Sequence, residues 1–262
     1  MAKEQLCFRD RFIARETLYG SFLKMPATMP AEILGSIGYD FVVVDEEHSP
    51  FNRETTDRII LAGRAFGIAT IVRVQSADPA NILSVLDCGA DGVLVPHVTD
   101  AATAQAIVAA GRYRGGKRGF APTTRAGGFG QASQAVHMAS EDRRVTIIAM
   151  IEDPDAIDNI DAIVSTEGLD GIFIGRGDLG AAFSSMDDAS GLVRKATEAV
   201  HAAAAKVGCP VAILPGSPED AAMQARAGST AFILSSDQAF LRTAAMQAHE
   251  RMSEAVTQAR KG

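Results

Sequence analysis

Polar side chains that can do chemistry recur directly after short apolar runs of this chain. Several acids and one histidine follow Phe41–Val44, and an arginine lies near the end of Ala69–Val74. If these runs are parallel strands, their carboxyl ends meet on one face of the sheet and bring the side chains together. A rim with many carboxylates, two histidines and one arginine suits metal-assisted and acid–base chemistry. Its members are Asp45, Glu46, Glu47, His48, Arg73, His97, Glu152, Asp178 and Asp237.

Glu152 and Asp178 form the pair that we predict as metal ligands. They follow two consecutive apolar runs, and two carboxylates from neighbouring strand ends suit a hard divalent ion that keeps several positions open. The alternative is that both acids lie in the first turns of helices, where the helix dipole favours negative charge. The residue pattern leaves both interpretations open.

The segment Gly175–Gly180 has the sequence GRGDLG and matches the pattern GxGxxG after an apolar run. A dinucleotide site is disfavoured, because that fingerprint belongs to an early βαβ unit with a helix directly behind it. Here Ala181–Gly191 is a poor helix start, and no acid ends a strand about 20 positions later. The glycines would instead let backbone N–H groups approach an anion such as a carboxylate.

Three further polar residues have both a functional and a structural interpretation. His48 is a candidate general base that Asp45 or Asp87 would orient, or it is a surface histidine that caps the following turn. Arg73 ends an apolar strand, where an unpaired arginine is costly. It therefore either pairs with a nearby carboxylate or binds a substrate oxygen. His97 has no acidic cluster beside it in the sequence, which favours a structural or peripheral role.

The elements that must position these residues form a repeated unit, in which a glycine precedes a short apolar run. Each glycine is typical of a helix C-cap, and each run is typical of a strand buried on both faces. The glycines are Gly38, Gly67, Gly89, Gly168, Gly208 and Gly228. The strands predicted in this way are Thr17–Leu23, Phe41–Val44, Ala69–Val74, Val93–Val95, Val145–Ile151, Ile172–Ile174, Pro210–Leu214 and Ala231–Leu234.

Stretches with helical character lie between these strands, and Asp78 and Ser217 are candidate caps in front of Pro79 and Pro218. About eight strands that alternate with helices predict a (β/α)8 TIM barrel, which needs about 250 residues. An open doubly wound sheet is the alternative. The chain of 262 residues then forms a single domain, 1–262. The predicted helices are Arg53–Phe66, Pro79–Asp87, Ala101–Ala110, Asp155–Val164, Leu192–Val207, Pro218–Ala227 and a long Ala239–Arg260, with a long irregular loop at Arg112–Gln134.

Composition limits the classes of function. The net charge of −7 disfavours binding to nucleic acid or to a membrane surface, and no apolar run approaches the length of a membrane span. Cys7, Cys88 and Cys209 are scattered without CxxC spacing, which argues against a disulfide framework or a thiolate zinc site. Together with the lack of a signal-peptide core at the start of the sequence, this predicts a cytoplasmic protein.

Five motifs at the strand ends, taken in order, resemble the HpcH/HpaI aldolase family. These motifs are FVVVDEEHSPFN, IVRV, DCGADGVLVPHV, MIED and IFIGRGDLG, and the similarity runs from about Tyr19 to Leu214. The family consists of class II, metal-dependent pyruvate aldolases of the phosphoenolpyruvate/pyruvate superfamily. The resemblance implies an aldolase that joins or cleaves pyruvate, or a close 2-oxo acid such as hydroxypyruvate, with an aldehyde through a metal-stabilised enolate.

The same resemblance implies roles for individual residues. Glu152 and Asp178 would bind Mg²⁺, Mn²⁺ or Co²⁺, and Arg73 would contact the keto or enolate oxygen. His48 would be the acid–base residue, supported by Asp45 and Asp87, one of which could come from across a subunit boundary. The backbone at Gly177 and Asp178 would hold the carboxylate of the 2-oxo acid, and Phe22 and Leu214 would line the pocket. The last helix would pack on a neighbouring subunit of a homo-oligomer, commonly a hexamer.

The chain also departs from the family pattern. Phe22 stands where members often carry tryptophan, Glu46 where they carry glycine, and Gly175–Asp178 where they carry Gly-Pro-Ala-Asp. These differences bear on pocket shape, and so on the aldehyde more than on the reaction.

Three alternative functions remain open. One is a coenzyme A-thioester lyase of the citramalyl- or malyl-CoA type, and another is a non-catalytic barrel that binds metal or a 2-oxo acid. A Schiff-base aldolase would need a lysine near the strand ends, for which Lys24 is the one plausible candidate.

Overall fold

A computed structural model describes residues 7–261 of the chain. Eight parallel strands follow one another around a closed barrel, and the last strand pairs with the first. This confirms the predicted (β/α)8 barrel and rules out the open doubly wound sheet. The strands are β1 Leu18–Leu23, β2 Phe41–Asp45, β3 Ala69–Arg73, β4 Gly92–Val95, β5 Thr146–Ile151, β6 Gly171–Ile174, β7 Val211–Ile213 and β8 Ala231–Ser236.

Twelve α-helices occur within the described residues, most of them on the outside of the barrel between consecutive strands. The loop that precedes α6 contains a short 3₁₀ turn at Gly128–Gly130. The helices are α1 Phe8–Ile13, α2 Met29–Ser36, α3 Arg53–Phe66, α4 Pro79–Asp87, α5 Ala101–Gly111, α6 Gln134–Arg144, α7 Pro154–Asp158, α8 Ile160–Val164, α9 Arg176–Ala182, α10 Ala189–Val207, α11 Pro218–Ala227 and α12 Asp237–Ala259.

Capping residues explain why several helix bounds were predicted correctly. The Asp78 carboxylate accepts a hydrogen bond from Ala80 N–H, and the Ser217 hydroxyl accepts one from Asp220 N–H. Each side chain satisfies a backbone donor that has no partner inside its helix. At the other ends, all six predicted C-cap glycines adopt a positive φ, a conformation that is costly for residues with a Cβ.

Several elements were not predicted. Helices α1, α2 and α6 were not predicted, and α6 occupies the stretch directly after the irregular loop. The predicted helix Asp155–Val164 is two short helices, α7 and α8. Helix α9 begins at Arg176, inside the glycine motif, although a helix start was not expected there.

Helix α1 closes the amino-terminal end of the barrel. Its Phe8 ring lies 5.2 Å from the ring of Phe41, the first residue of β2. Its Phe12 ring lies against Gly171, the first residue of β6. Above these rings the inward side chains of alternate strand residues form one apolar cluster. The interior is therefore packed from below, and polar side chains can gather at the carboxyl ends of the strands.

Helix α12 is the long carboxyl-terminal helix that was predicted as Ala239–Arg260. It contacts β1 and β8 at its start, and most of its length is exposed. Leu241, Met246, Met252 and Val256 are each more than half exposed. No helix among residues 7–261 is long and apolar enough to cross a membrane. Residues 1–6 and 262 of the predicted domain lie outside the described residues.

Candidate active site at the carboxyl ends of the strands

Strand alternation places three of the predicted site residues inside the mouth of the barrel. Asp45 follows the inward Val43 by two positions on β2, and Arg73 follows the inward Ile71 by two on β3. Successive side chains of a strand point to opposite faces, so both side chains turn inward. They are 0% and 6% exposed. Glu152 has the same relation to β5 and is 2% exposed.

Asp45 holds the guanidinium of Arg73 in a bidentate ion pair. Nε of Arg73 donates to Oδ1 at 2.9 Å, and its second nitrogen lies 2.8 Å from Oδ2. Lys24 Nζ lies 2.8 Å from the same Oδ2. Burial alone would raise the pKa of Asp45, but hydrogen bonds from Arg73 and Lys24 outweigh it and lower the pKa to about 2. Asp45 is therefore ionised at neutral pH and fixes the orientation of Arg73.

Phe22 and Glu47 complete the surroundings of Arg73. The guanidinium carbon lies 5.0 Å from the centre of the Phe22 ring, a favourable cation–π position. The third guanidinium nitrogen lies 3.2 Å from Glu47 Oε2. Arg73 is thus oriented on three sides, and Phe22 lies beside it at the mouth of the barrel.

Glu152 is a buried carboxylate with an unusual electrostatic environment. No lysine or arginine of residues 7–261 forms a salt bridge with it. Burial raises its pKa to about 7, and the negative charges of Asp178 and Glu47 add to this effect, although His97 opposes it. A Cβ at Gly175 would lie 2.5 Å from Cβ of Glu152 and 3.0 Å from its Oε2. The glycine therefore makes room for this carboxylate.

Asp178 and Gly177 lie in the first turn of α9, next to Glu152 and exposed to solvent. Nothing lies within 4 Å of a Cβ placed on Gly177, so the backbone there is open to a ligand. The preceding Arg176 donates to the Leu214 carbonyl at 2.7 Å and pairs with Asp220 on α11. This contact joins the loops after β6 and β7 and holds Leu214 at the mouth, where its side chain is partly exposed.

His48 lies on the rim with an exposed imidazole. Its backbone N–H donates to Asp45 Oδ1 at 3.2 Å, and its Nε2 lies 3.8 Å from Glu47 Oε2. The predicted contact with Asp45 thus exists, but through the backbone. The ring itself faces the opening, where an incoming molecule can reach it.

Asp87 is the predicted site residue that the chain does not bring to this rim. It is the last residue of α4, and α4 leads into the amino-terminal end of β4. Its carbonyl accepts from Ala126 N–H in the long loop before α6. Its Oδ1 is buried without a hydrogen-bond partner among residues 7–261, and burial raises its pKa. Any role for Asp87 at a rim therefore requires the rim of a neighbouring subunit.

Two rim acids of the sequence analysis have structural partners. Both carboxylate oxygens of Asp237 accept backbone N–H groups, from Lys24 at 2.9 Å and from Met25 at 3.0 Å. Glu46 accepts from the hydroxyl of Thr56 at 2.5 Å. Both side chains fasten loops at the mouth rather than face into it.

Glu47 and His97 are the functional candidates that sequence reasoning did not single out. With Glu152 they offer three ligand atoms that all lie within 4.8 Å of one another. His97 was expected to be peripheral, yet its backbone N–H donates to Glu152 Oε1 at 2.9 Å. The order of the strands places all three residues on one rim, but it does not show which rim residues come within ligand distance of one another.

The donor set fits a divalent cation. Glu152 is a buried carboxylate without a lysine or arginine partner among the described residues, and Glu47, whose Oε2 lies 3.2 Å from Arg73, turns its Oε1 towards His97. Buried charges of this kind are costly unless a counter-charge is present. Oxygen ligands with open positions suit Mg²⁺ or Mn²⁺. The rim can therefore hold a metal ion beside a fixed guanidinium, and such a pair can stabilise developing negative charge.

Comparisons with known proteins agree with this architecture. The sequence profile of a family described as HpcH/HpaI aldolase/citrate lyase matches residues 18–244. A 5-keto-4-deoxy-D-glucarate aldolase from Escherichia coli O6:H1 (strain CFT073) is 33% identical over 239 residues, which are 90% of this chain and 93% of that protein.

Solved structures are similar over the whole barrel. A HpcH/HpaI aldolase/citrate lyase family protein from Burkholderia cenocepacia J2315 has a TM-score of 0.87 at 28% identity, covering 94% of this chain and 98% of its own. The structure named citrate synthase SbnG has a TM-score of 0.80 at 33% identity, covering 96% of this chain and 100% of its own.

Proposed function

This chain belongs to the HpcH/HpaI aldolase/citrate lyase family and is a lyase that acts on small molecules. From this premise we propose that it is a metal-dependent aldolase that joins or cleaves pyruvate, or a close 2-oxo acid such as hydroxypyruvate, with an aldehyde. One observation carries the proposal: the buried Glu152 carboxylate has no lysine or arginine partner among residues 7–261 and shares the rim with an Arg73 that is oriented on three sides.

Glu152 and Asp178 would hold the cation, and Mg²⁺, Mn²⁺ and Co²⁺ all accept such oxygen ligands. When bound, the ion would act as a Lewis acid that polarises the 2-oxo group. The exposed backbone at Gly177 and Asp178 would receive the carboxylate of the 2-oxo acid through its N–H groups, because the first turn of a helix has free donors.

Arg73 would stabilise the negative charge that develops on the 2-oxo oxygen. Its guanidinium is already held by Asp45 and rests on Phe22, so it needs no reorganisation during the reaction. A charged donor that is fixed in advance in a water-poor site contributes strongly to catalysis. Removing one such donor typically costs about 10²–10³ in rate.

His48 would move the proton. Its imidazole would take a proton from the carbon next to the 2-oxo group, and the electron pair of that C–H bond would form the enolate. The enolate carbon would then attack the aldehyde carbon to form the new carbon–carbon bond, while the π electron pair of the carbonyl moves to its oxygen, which would take the proton back from His48. Cleavage would follow the same steps in reverse. The exposed position of His48 at the mouth leaves space beside it for the aldehyde, close to Leu214.

Two other chemistries have less support in the structure. A Schiff-base aldolase would need a free amine, but Lys24 Nζ is engaged by the buried Asp45 carboxylate at 2.8 Å. A thioester-dependent lyase remains the second candidate, because the chain is also similar to a structure named citrate synthase. Turnover of a 2-oxo acid and an aldehyde without any thioester would decide between them.

We also propose that the protein is a homo-oligomer, a hexamer in keeping with the expectation from its sequence. Helix α12 supports this, because several of its apolar side chains are exposed in a single chain. They are Leu241, Met246, Met252 and Val256. The buried but unpartnered oxygen of Asp87 points in the same direction. The three cysteines are free, in keeping with the cytoplasmic location expected from sequence.

The proposal can be tested by exchange of the methyl protons of pyruvate in deuterated water, followed by NMR without any aldehyde. Metal-loaded protein should exchange these protons, and chelated protein should not. His48→Gln should lower exchange by about 10²-fold, the lower end of general base contributions, while pyruvate still binds. His249→Gln, which changes an exposed histidine on α12, is the matched control. Full exchange by exhaustively chelated protein would contradict metal dependence.

A further inference from the structure

We propose that His97 supplies a nitrogen ligand, and Glu47 a further oxygen ligand, to the cation that Glu152 and Asp178 would hold, and that His97 so shifts the metal preference of this enzyme away from Mg²⁺ towards Co²⁺ and Ni²⁺. This inference rests on the proposed metal-dependent function and adds a determinant of metal choice to it. The cluster is built from the ends of three strands, β2, β4 and β5.

The backbone of His97 is held in a conformation that is unusual for a residue with a side chain. Its φ is 55°, in the left-handed region. The conformation directs its N–H to Glu152 Oε1 at 2.9 Å. Strained backbone of this kind clusters at functional sites, where the surrounding structure maintains it. His97 therefore contacts the buried carboxylate through its main chain as well as approaching it with its ring.

The ring of His97 has the hydrogen-bonding arrangement of a metal ligand. Nδ1 lies 3.0 Å from Asp153 Oδ2, so a ring that donates Nδ1–H to this carboxylate presents the lone pair of Nε2. That nitrogen lies 3.6 Å from Glu47 Oε1. Histidines that bind metal regularly donate their other ring N–H to a carboxylate, which fixes the tautomer and increases the basicity of the ligand.

The carboxylates of the cluster need a counter-charge. Glu152 is 2% exposed and has no lysine or arginine partner among residues 7–261. Glu47 Oε2 lies 3.2 Å from a guanidinium nitrogen of Arg73, which Asp45 already engages, and Glu47 Oε1 faces the His97 ring. A single imidazole does not balance these carboxylates, since His97 also faces Asp153. A divalent ion between Glu47, His97 and Glu152 would match their charge and bring together atoms that already lie within 4.8 Å.

An imidazole ligand changes which ion binds best. Carboxylates alone suit Mg²⁺ and Mn²⁺, whereas imidazole favours later transition metals, and affinity rises from Mn²⁺ through Co²⁺ to Ni²⁺ at most nitrogen-containing sites. The contribution of His97 should therefore be large for Ni²⁺ and Co²⁺ and small for Mg²⁺. This difference separates a ligand from a residue that merely supports the fold.

The variant His97→Asn tests the proposal, because asparagine tolerates the left-handed backbone but offers no imidazole. His48→Asn is the control, since His48 also approaches Glu47 but not Glu152. Affinities of the metal-free protein for Mg²⁺, Co²⁺ and Ni²⁺ would be measured by calorimetry without substrate. The visible absorption of bound Co²⁺ would be recorded as well. A melting curve would confirm that each variant is folded.

His97→Asn should weaken Co²⁺ and Ni²⁺ by about tenfold or more and Mg²⁺ by no more than about twofold, and it should alter the Co²⁺ spectrum. Asp153→Asn should weaken Co²⁺ in the same direction by about tenfold. If His97→Asn binds all three ions as tightly as the wild type and the Co²⁺ spectrum is unchanged, His97 is not a ligand. That result would leave the proposed metal-dependent function standing. A wild-type protein that binds none of the three ions would overturn both this role and the proposed metal-dependent function.

Discussion

Carboxylates are buried at both ends of the barrel, and the two ends differ in how completely lysine and arginine side chains pair them. At the amino-terminal end, Asp170 lies 2.7 Å from Arg9 and 2.6 Å from Arg112, and it accepts the Ile147 N–H at 2.8 Å. At the carboxyl end, Glu152 is buried to the same degree without a lysine or arginine partner among the described residues. Burial alone therefore does not distinguish a structural acid from a functional one.

The distinction lies in how completely each charge is paired. Asp45 shows that the carboxyl end can also satisfy an acid, because Arg73 and Lys24 both reach it. Glu152 contrasts with Asp45, because burial and neighbouring acids raise its pKa to about 7, whereas Arg73 and Lys24 lower the pKa of Asp45 to about 2. An unpaired buried charge is a cost to folding. Groups with such perturbed pKa values are concentrated at functional sites.

Glu152→Gln should have the largest effect on activity and almost none on folding. The amide keeps the size of the side chain and can still accept the His97 N–H, but it removes a ligand charge. Activity should fall by about a thousandfold, equivalent to about 4 kcal/mol. The melting temperature of the metal-free variant should equal or exceed that of the wild type. A large drop in melting temperature would show that Glu152 is a structural acid like Asp170.

Asp170→Asn should have the opposite outcome. It leaves the guanidinium groups of Arg9 and Arg112 near the barrel floor without their counter-charge. Breaking one partner of a buried ion network costs about 3–5 kcal/mol of folding free energy. Chemical denaturation should show this loss, while kcat per folded molecule stays at the wild-type value. A stable variant with low kcat would overturn the assignment of a structural role.

Asp87→Asn tests whether the amino-terminal end of one barrel meets the mouth of another in an oligomer. Its effect should be the smallest of the three. If Asp87 supports a general base across a subunit boundary, kcat should fall by about tenfold, or about 1.4 kcal/mol. The oligomer measured by light scattering should stay intact. A wild-type protein that is monomeric at micromolar concentration and fully active would show that one chain contains the complete site.

Much of the fold was predictable because its signals are local. A glycine at each helix end, a short β-branched run and a capping residue such as Asp78 each act within a few residues of sequence. The bounds Arg53–Phe66, Pro79–Asp87 and Pro218–Ala227 were therefore predicted to the residue. Helix α1 was missed because its two phenylalanines are explained only by the barrel floor that they cover.

The site was predictable only in part, for a related reason. Two-residue alternation along a strand places Asp45, Arg73 and Glu152 at the mouth, so these residues were found from sequence. The positive φ of His97 is a property of tertiary structure, and nothing in its neighbours predicts it. The separation of Asp87 from the rim was equally hidden, because a helix-terminal acid looks the same in sequence at either end of a barrel.

Phe8 and Phe12 close the floor of the barrel. This closure limits the order in which reactants can bind to the enzyme and products can leave it. With that end packed, reactants can enter and leave only through the mouth. If the 2-oxo acid binds beside Arg73, as proposed, it lies deepest, and an aldehyde near Leu214 would lie across its exit. We expect a compulsory order in which the 2-oxo acid binds first and is released last. Product-inhibition patterns in steady-state kinetics would show this order, and a random pattern would indicate a second route into the barrel.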